Sequence, residues 1–203
     1  MSEHYFAAEP GGADRRREVV VHLAGRTVTV TTSGGVFSPG RVDLGTRVLL
    51  DHVIDPAPGD LLDLGCGWGP LALAAALRAP EVNVWALDVN TRALDLVATN
   101  ARTLGLARVR AVTADQVSAD QRFTTIWSNP PIRIGKAALH ELLAAWLPRL
   151  TDDGTAWLVV ARNLGADPLH DWLTQTSGRP VDRVASSKGF RVLRVGPVPP
   201  GSS

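Results

Sequence analysis

The stretch Asp63-Leu64-Gly65-Cys66-Gly67-Trp68-Gly69-Pro70 follows the apolar pair Leu61-Leu62 and precedes the alanine- and leucine-rich segment 70–78. Glycines at alternate positions let the backbone turn tightly and approach a ligand closely, and the start of a helix offers free N–H groups. The spacing Gly-x-Gly-x-Gly differs from the dinucleotide pattern Gly-x-Gly-x-x-Gly, because Pro70 follows Gly69. The stretch therefore disfavours a pyrophosphate cradle, and the acid before its first glycine suits an ammonium or sulfonium group.

Around this loop, short apolar runs alternate with segments of helical periodicity. The clearest helix is 136–150, whose leucines and tryptophan fall on one stripe. The patterns predict strands at 61–64, 82–87, 109–112, 123–127, 156–161, 181–186 and 190–195, and helices at 70–78, 91–104, 136–150 and around 169–173. Such alternation predicts an α/β fold: a doubly wound, mostly parallel seven-stranded sheet with helices on both faces.

The segment before residue 37 has a different character. Residues 1–17 are polar and rich in glycine and arginine, which predicts a loose arm. Two β-rich runs flank Ala24-Gly25-Arg26 and predict a small β-hairpin. We therefore expect an amino-terminal arm and hairpin extension at 1–36, an α/β domain at 37–197 and a frayed tail at 198–203.

Composition narrows the classes of protein. The chain has 203 residues, a net charge of +1 and one cysteine, Cys66. A net charge near zero argues against a protein that binds nucleic acid through its overall charge, but it is compatible with a local basic patch. One cysteine excludes a disulfide within the chain, and the scattered histidines predict no metal site. Without a long apolar run or a signal peptide, we expect no membrane span and a cytoplasmic location.

Two further acids end the next two strands of the predicted sheet. Asp88 closes the run Val84-Trp85-Ala86-Leu87, where a carboxylate can accept both hydroxyls of a ribose. Asp115 follows the third strand, where it could meet an adenine amino group. Taken alone, Asp88 would equally serve as a helix N-cap. Together with Asp63, these acids at three successive strand ends fit a cationic nucleoside better than a nucleotide.

The corner Asn129-Pro130-Pro131 follows the fourth strand of the predicted sheet. Prolines cannot extend a central strand, and they hold the neighbouring carbonyls in fixed, extended positions. The side-chain carbonyl of Asn129 and the backbone carbonyl of Pro130 can then accept both N–H groups of one incoming amine or amide. Such positioning carries most of the catalysis in a direct displacement. Alone, the corner would also suit a structural turn.

The glycine loop with Asp63, together with Asp88, Asp115 and the Asn129-Pro130-Pro131 corner, resembles the class I, Rossmann-like S-adenosylmethionine-dependent methyltransferases. The Asn-Pro-Pro signature is similar to that of enzymes that methylate exocyclic or amide nitrogens. The resemblance covers nearly the whole chain and makes 37–197 a methyltransferase domain.

Three amino-terminal stretches narrow the resemblance. His4-Tyr5-Phe6, Gly35-Val36-Phe37-Ser38 and Asp43-x-Gly45-Thr46 are similar to small-domain methyltransferases related to the catalytic half of the small-subunit (16S) ribosomal RNA guanine-N2 methyltransferases. One departure stands out, because the position after Pro-Pro is usually aromatic in relatives that sandwich a flat substrate and is Ile132 here. Phe37, Phe190 or Trp68 could supply the ring instead.

The resemblance implies a role for each candidate residue, with S-adenosylmethionine as cofactor and no metal. Asn129, Pro130 and Pro131 would hold the acceptor nitrogen. Ile132, Arg133 and Phe190 would contact the substrate. The residues implied in cofactor binding are Phe37, Asp63, Gly65, Cys66, Gly67, Gly69, Asp88, Val89, Asp115 and Asn129.

The implied reaction is methylation of the exocyclic N2 of a guanine in ribosomal RNA, by a monomer or weak homodimer. RNA affinity would come from Arg15, Arg16, Arg17, Arg133, Lys136, Lys188 and Arg191, which could equally be ordinary solvated charge. Three alternatives stay open: a glutamine side-chain amide in a protein or a small-molecule amine as acceptor, a non-catalytic cofactor-binding subunit with this fold, and a nicotinamide oxidoreductase.

Overall fold

The structure is a computed structural model, and it describes residues 14–131 and 135–198. A first pair of strands is followed by a long alternation of helices and strands. The strands are β1 (Arg16–Leu23), β2 (Arg26–Ser33), β3 (Asp60–Leu64), β4 (Asn83–Leu87), β5 (Val109–Val112), β6 (Phe123–Ser128), β7 (Leu150–Ala161), β8 (Val181–Ser187) and β9 (Phe190–Val195). The α-helices are α1 (Leu44–Leu50), α2 (Pro70–Arg78), α3 (Thr91–Thr103), α4 (Lys136–Trp146) and α5 (Ala166–Thr176).

The main sheet has seven strands in the order β5-β4-β3-β6-β7-β9-β8. Strands β3 to β7 pair in parallel, whereas β9 runs antiparallel to both β7 and β8. The predicted α/β, mostly parallel seven-stranded sheet is therefore confirmed. The chain passes from β3 outward to β5 and then returns to β6 on the other side of β3. Ligands of such sheets bind at this switch point, beyond the carboxyl ends of the strands.

Helices cover both faces of the sheet, as the alternation predicts. One apolar core includes buried residues of α1, α2 and α3, and the other includes buried residues of α4 and α5. Strand β3 contributes to both, because successive side chains of a strand point to opposite faces: Leu61 packs in the first core and Leu62 in the second. Buried on both faces, β3 is the central support of the site at its carboxyl end.

The amino-terminal hairpin packs against the domain through its apolar side chains. Val21, Leu23 and Val30 are buried in the first core. Asn100 of α3, fully buried, accepts from the N–H of Thr31 at 2.7 Å and donates Nδ2 to the Thr31 carbonyl at 3.0 Å. The hairpin is thus tied to the domain by a buried amide, while the division of the chain at residue 36 stays a prediction.

Two boundaries near the amino terminus differ from the sequence expectation. The loose arm was expected to reach residue 17, but β1 begins at Arg16 and pairs with β2 from Arg16 onward. Polar side chains concealed this extension, because strand pairing needs backbone groups rather than apolar side chains on an exposed face. Arg16 also bonds Asp14 through Nε at 2.8 Å.

The segment after α4 also differs from the expectation. The predicted helix 136–150 ends at Trp146, and a 3-10 turn, Leu147–Arg149, contains Pro148. Strand β7 then begins at Leu150, whereas the predicted strand began only at residue 156. The Arg179 guanidinium donates to the carbonyls of Leu150, Thr151, Asp152 and Gly154, which satisfies the backbone there without regular pairing.

The carboxyl-terminal tail is anchored up to Val198. The N–H of Gly196 donates to the Pro180 carbonyl at 2.8 Å, and that of Val198 to the Asp152 carbonyl at 2.8 Å. The rest of the expected frayed tail lies outside the described residues. Among residues 14–131 and 135–198, no helix combines the length and the apolar character needed to span a bilayer.

Candidate active site

The glycine loop leaves the carboxyl end of β3 in a conformation that requires glycine. Gly65, Gly67 and Gly69 have φ values of +78°, +55° and +92°. The N–H groups of Gly65 and Cys66 both donate to the Leu87 carbonyl at 2.9 Å, which fixes the loop to the end of β4. A Cβ on Gly69 would lie 2.9 Å from Val97 Cγ2 of α3. Gly69 is therefore needed for close helix packing, whereas the other two shape the loop.

Asp63 lies under this loop with one oxygen unused. Its carboxylate is 1% exposed, and Oδ2 accepts from the N–H of Ala72 at 2.9 Å. Its Oδ1 is buried and has no hydrogen-bond partner among the described residues. Burial raises the pKa of Asp63 to about 8, with the nearby Asp88 acting in the same direction. A buried acid with an unsatisfied oxygen is a costly arrangement that a cationic or N–H-bearing ligand would relieve.

Asp88 holds the glycine loop from the neighbouring strand end. Its Oδ2 accepts from the N–H of Gly67 at 2.9 Å, and its Oδ1 accepts from the N–H of Asn90 at 2.9 Å. Burial raises the pKa of Asp88, although these backbone hydrogen bonds oppose the shift. The alternative of a helix N-cap is wrong for Asp88 because Asn90 caps α3, accepting from the N–H groups of Arg92 and Ala93.

A loop between β2 and α1 crosses the front of the glycine loop. Asn90 Nδ2 donates to the Gly35 carbonyl at 3.0 Å, and Trp68 Nε1 donates to the Ser38 carbonyl at 3.3 Å. Between these anchors, Phe37 is 50% exposed. The buried Trp68 thus serves as packing and as an anchor, which explains its place inside the glycine motif.

A small cleft opens between these elements. Its lining includes six of the residues that the sequence assigns to cofactor binding, and others that it does not. The lining residues are Phe37, Ser38, Asp43, Thr46, Asp63, Gly65, Cys66, Gly67, Trp68, Pro70, Leu71 and Asn129. The sequence-predicted residues from the first loop, the glycine loop and the Asn-Pro-Pro corner therefore meet at one place.

The other predicted residues lie around or away from this cleft. Val89 is 51% exposed beside Asp88. Asp115 is exposed in a 3-10 turn after β5, at the same edge of the sheet. The thiol of Cys66 is buried, which raises its pKa and makes it a poor nucleophile. Ile132 and Arg133 lie outside the described residues. Within the described part of the chain, no cluster of His, Cys, Asp and Glu could hold a metal ion.

Asn129 is held by two side chains from the start of α1. Its Nδ2 donates to Asp43 Oδ2 at 3.0 Å and to Thr46 Oγ1 at 3.1 Å. Its Oδ1 accepts no hydrogen bond from any residue that the structure describes. Next to it, the buried Ser128 donates its hydroxyl to the Leu64 carbonyl at 2.6 Å, which joins the ends of β6 and β3. The corner therefore presents a fixed side-chain carbonyl.

Phe190 lies on the α1 side of this corner. The ring passes so close to Gly45 that an added Cβ would lie 2.9 Å from Phe190 Cε1. The N–H of Gly45 in turn donates to Asp43 Oδ2 at 2.8 Å. Phe190, one of the aromatic rings that the sequence offered for contact with the substrate, thus lies beside Gly45, the neighbour of Thr46, and Thr46 holds Asn129.

Sequence reasoning missed the roles of Asp43, Thr46, Asn90 and Ser128. Asp43 and Thr46 entered only as parts of a shared motif, although an acid just before an apolar run is a recognisable N-cap signal. The acid indeed caps α1, and its contact with Asn129 spans 86 positions of the chain. A contact at that separation leaves no local pattern.

The chain matches known proteins over nearly its whole length. The family model for the methyltransferase small domain matches residues 27–194. The uncharacterized protein YbxB of Bacillus subtilis is 32% identical over 198 residues, covering 96% of this chain and 98% of that protein. A ribosomal RNA small subunit methyltransferase C from Pseudomonas syringae pv. tomato is 35% identical over 162 residues, covering 75% of this chain but 47% of that protein.

Solved structures give the same fold. A Thermus thermophilus enzyme, described as a 16S rRNA N2 G1207 methyltransferase in complex with AdoMet and guanosine, superposes with a TM-score of 0.76 at 22% identity. The match covers 93% of this chain and 52% of that one, so the chain spans about half the length of these ribosomal RNA methyltransferases. The expected S-adenosylmethionine-dependent methyltransferase is confirmed at the level of the family. The chain belongs to the methyltransferase small domain family.

Proposed function

We propose that this protein is an S-adenosylmethionine-dependent N-methyltransferase that acts on the exocyclic N2 of a guanine in ribosomal RNA. The observation that carries the proposal is the Asn129 amide, whose nitrogen is tied to Asp43 and Thr46 so that its carbonyl stays available. The relatives named ribosomal RNA small subunit methyltransferase C support the choice of acceptor.

The residues of the cleft fit the proposed cofactor. The buried, unpartnered Oδ1 of Asp63 suits the ammonium of the methionine part, because that contact would satisfy the oxygen and neutralise its charge. A Cβ on Gly67 would meet no described atom within 4 Å, so the glycine leaves open space on the cleft side. Asp88 would bind the ribose, with Val89, Asp115 and Phe37 toward the adenine. When bound, the cofactor supplies an electrophilic methyl group next to a good leaving group.

The acceptor nitrogen would be held by two carbonyls. Asn129 Oδ1 and the backbone carbonyl of Pro130 each accept one N–H of the incoming amine, and Pro131 holds the Pro130 carbonyl in position. Drawing both N–H bonds toward these oxygens makes the nitrogen lone pair available for attack without prior deprotonation. The two oxygens would then stabilise the positive charge that develops on nitrogen while the bond between the methyl carbon and sulfur breaks, and one N–H proton would leave to water afterwards.

A guanine would need to be unstacked from structured RNA before it reaches this corner. Phe190, which packs against the first core beside Gly45, would be the aromatic side chain for base stacking. Lys136 at the start of α4 and Lys188 in the turn between β8 and β9 are exposed. Arg191 suits RNA less well, because its side chain is 14% exposed and bonds Asp167.

The test is transfer of labelled methyl from S-adenosylmethionine to separate preparations of small ribosomal subunits, free ribosomal RNA, transfer RNA, protein and small amines. We expect label in ribosomal RNA that digests to N2-methylguanosine, and a rate of labelling lower by roughly 10²-fold or more with Asn129→Ala. Label in protein as methylglutamine would replace the acceptor by a side-chain amide. Cofactor binding without transfer to any fraction would favour a non-catalytic subunit.

A further inference from the structure

We propose that Asp43 and Thr46 are positioning residues that fix the rotation of the Asn129 amide, so that its oxygen and not its NH2 group faces the acceptor. This inference rests on the proposed function, because it concerns how the acceptor nitrogen is held. It assigns a catalytic consequence to the Asp-x-Gly-Thr motif at the start of α1, 83 to 86 positions away from Asn129 in the chain.

Asp43 contacts Asn129 through a carboxylate oxygen that accepts hydrogen bonds. Its Oδ2 accepts from the N–H of Gly45 at 2.8 Å, from the N–H of Thr46 at 3.3 Å and from Asn129 Nδ2 at 3.0 Å. An ionised carboxylate can only accept hydrogen bonds. If the Asn129 amide rotated by half a turn, its oxygen would face Oδ2, and two oxygens with like partial charge would repel each other.

The Asn129 amide has two N–H groups, and each has an acceptor. A side-chain amide has two N–H groups on nitrogen and one acceptor oxygen. The nitrogen has two partners here, Asp43 Oδ2 and Thr46 Oγ1 at 3.1 Å, one for each N–H group. Both donors are therefore used, and the carbonyl oxygen is the part of the side chain left for a ligand.

The two side chains that hold Asn129 are themselves held rigidly. Asp43 caps α1, and Thr46 is 2% exposed in its first turn. One turn further on, Val48 and Leu49 are fully buried in the first core. The two partners of Asn129 are therefore held by helix and core together, and their geometry does not depend on a ligand.

The orientation has a chemical consequence. An amine or amide acceptor presents N–H donors, which bind to a carbonyl oxygen but are repelled by an NH2 group. An Asn129 side chain free to rotate would spend part of its time in an unproductive orientation, and loosely held reacting groups lose rate steeply. Asp43 and Thr46 thus select acceptors that donate two N–H groups, such as the exocyclic amine of guanine.

The first experiment compares Asp43→Ser, Asp43→Asn and Thr46→Val. Serine keeps a good N-cap for α1, but its side chain is too short to reach Asn129. Asparagine has the length of aspartate, so its amide oxygen can take the place of the carboxylate oxygen. We expect kcat to fall by roughly 10-fold or more for Asp43→Ser, on the scale of misplaced reacting groups, and to be largely restored in Asp43→Asn. The Kd for S-adenosylmethionine and the Tm should change little.

The matched control is Thr125→Val, which removes a hydroxyl from a buried threonine of the same strand that leads to Asn129. We expect Thr46→Val to lower kcat by several-fold and Thr125→Val to leave it unchanged. Equal losses in both variants would mean a general packing defect and would overturn the assignment of Thr46.

A double-mutant cycle separates positioning from a structural role. Because Asp43 acts through Asn129, Asp43→Ser should cost almost nothing further in an Asn129→Ala background. If the two losses multiply instead, Asp43 acts through another route and the inference is overturned.

A readout independent of turnover distinguishes failure of the inference from failure of the proposed function. In ¹⁵N-labelled protein, the side-chain NH2 signal of Asn129, identified by its loss in Asn129→Ala, should exchange slowly with water and more quickly in Asp43→Ser. If the wild type methylates no RNA, protein or amine but the signal is protected, the proposed function fails and the orientation stands. Rapid exchange in the wild type would overturn the inference by itself.

Discussion

The cleft has two halves that are built in different ways. The proposed cofactor half, made of Asp63, the glycine loop 65–69 and Asp88, comes from two adjacent strands and the turns that follow them. The proposed acceptor half, made of Asp43, Thr46 and Asn129 with Phe190 beside Gly45, comes from the start of α1, the end of β6 and the start of β9. A contiguous motif therefore forms most of the first half, whereas only the complete fold forms the second.

This difference predicts that the two halves can be disabled separately. The proposed cofactor half holds buried acids whose energies depend on charge, and the proposed acceptor half holds the Asn129 amide, whose effect depends on its orientation. Changes in the first should appear mainly as altered ligand affinity and pH dependence. Changes in the second should appear as altered turnover at constant cofactor affinity.

The largest effect is expected from Asn129→Ala. Removing the carbonyl that orients the acceptor should lower kcat by roughly 10²-fold or more, while the Kd for S-adenosylmethionine stays within about twofold on that argument. Single-turnover methyl transfer and calorimetric titration of the cofactor measure the two quantities. A variant that loses cofactor binding in proportion to its turnover would show that the halves are not separable at Asn129.

Asp63→Asn should act mainly on cofactor affinity, in contrast to Asn129→Ala, which should act mainly on turnover. Asparagine can still accept from the N–H of Ala72, but it places an uncharged group in the cleft. Loss of a charge-assisted hydrogen bond predicts a Kd for the cofactor roughly 10-fold to 100-fold weaker. The Tm of the unliganded protein at pH 8.5 should rise, because a buried unpaired charge has been removed. A lower Tm with unchanged affinity would contradict the role assigned to Asp63.

The Asp63 carboxyl also makes the free energy of unfolding depend on pH. Its pKa is raised from 3.8 to about 8 in the folded protein. Between these values the unfolded chain releases the proton while the folded protein keeps it. Because the unfolded state then binds fewer protons, the contribution of Asp63 to the free energy of unfolding falls as pH rises from about 4 to 8 and levels off above.

A cationic ligand requires the ionised form, so binding and stability should depend on pH in opposite directions. The Kd for S-adenosylmethionine should become roughly 10-fold tighter per pH unit between pH 6 and 7.5, as expected when binding requires loss of one proton. Titrations at several pH values test this, and Asp63→Asn is the control that should remove most of the slope. A wild-type Kd that is constant over this range would indicate that Asp63 is already ionised.

The sequence predicted that the residues of the proposed cofactor half lie together, because its signals are local. The acid and glycines are contiguous, and Asp88 follows from the rule that parallel strands end at one edge of the sheet. The expectation that residues 1–17 form a loose arm failed at Arg16 and Arg17, where exposed polar side chains conceal a strand. The length of β7 was missed because the carbonyls near its start are satisfied by Arg179, some 25 residues or more later.

The acceptor half was only partly predictable. Asn129 and the prolines carry a recognisable chemistry, but the partners that orient the amide are set by where α1 lies across the sheet. The local sequence indicates that Asp43 caps α1. It does not indicate that Asp43 Oδ2 also contacts Asn129. Likewise, nothing local indicates that Gly45 is a glycine because Phe190 passes over it.

That last contact supplies the smallest expected effect. In Gly45→Ala the new Cβ would lie 2.9 Å from Phe190 Cε1 and 3.0 Å from Asp43 Oδ2, so the ring and the carboxylate must both shift. We expect KM for the nucleic-acid substrate to rise and kcat to fall, each by about a few-fold, because the stacking contact weakens and Asp43 holds Asn129 less firmly. The Kd for S-adenosylmethionine should stay unchanged. The control is Gly34→Ala, since a Cβ there meets no described atom within 4 Å. If Gly45→Ala changes cofactor affinity instead, Asp43 or Phe190 belongs to the cofactor half, and the boundary between the two halves must be redrawn through α1.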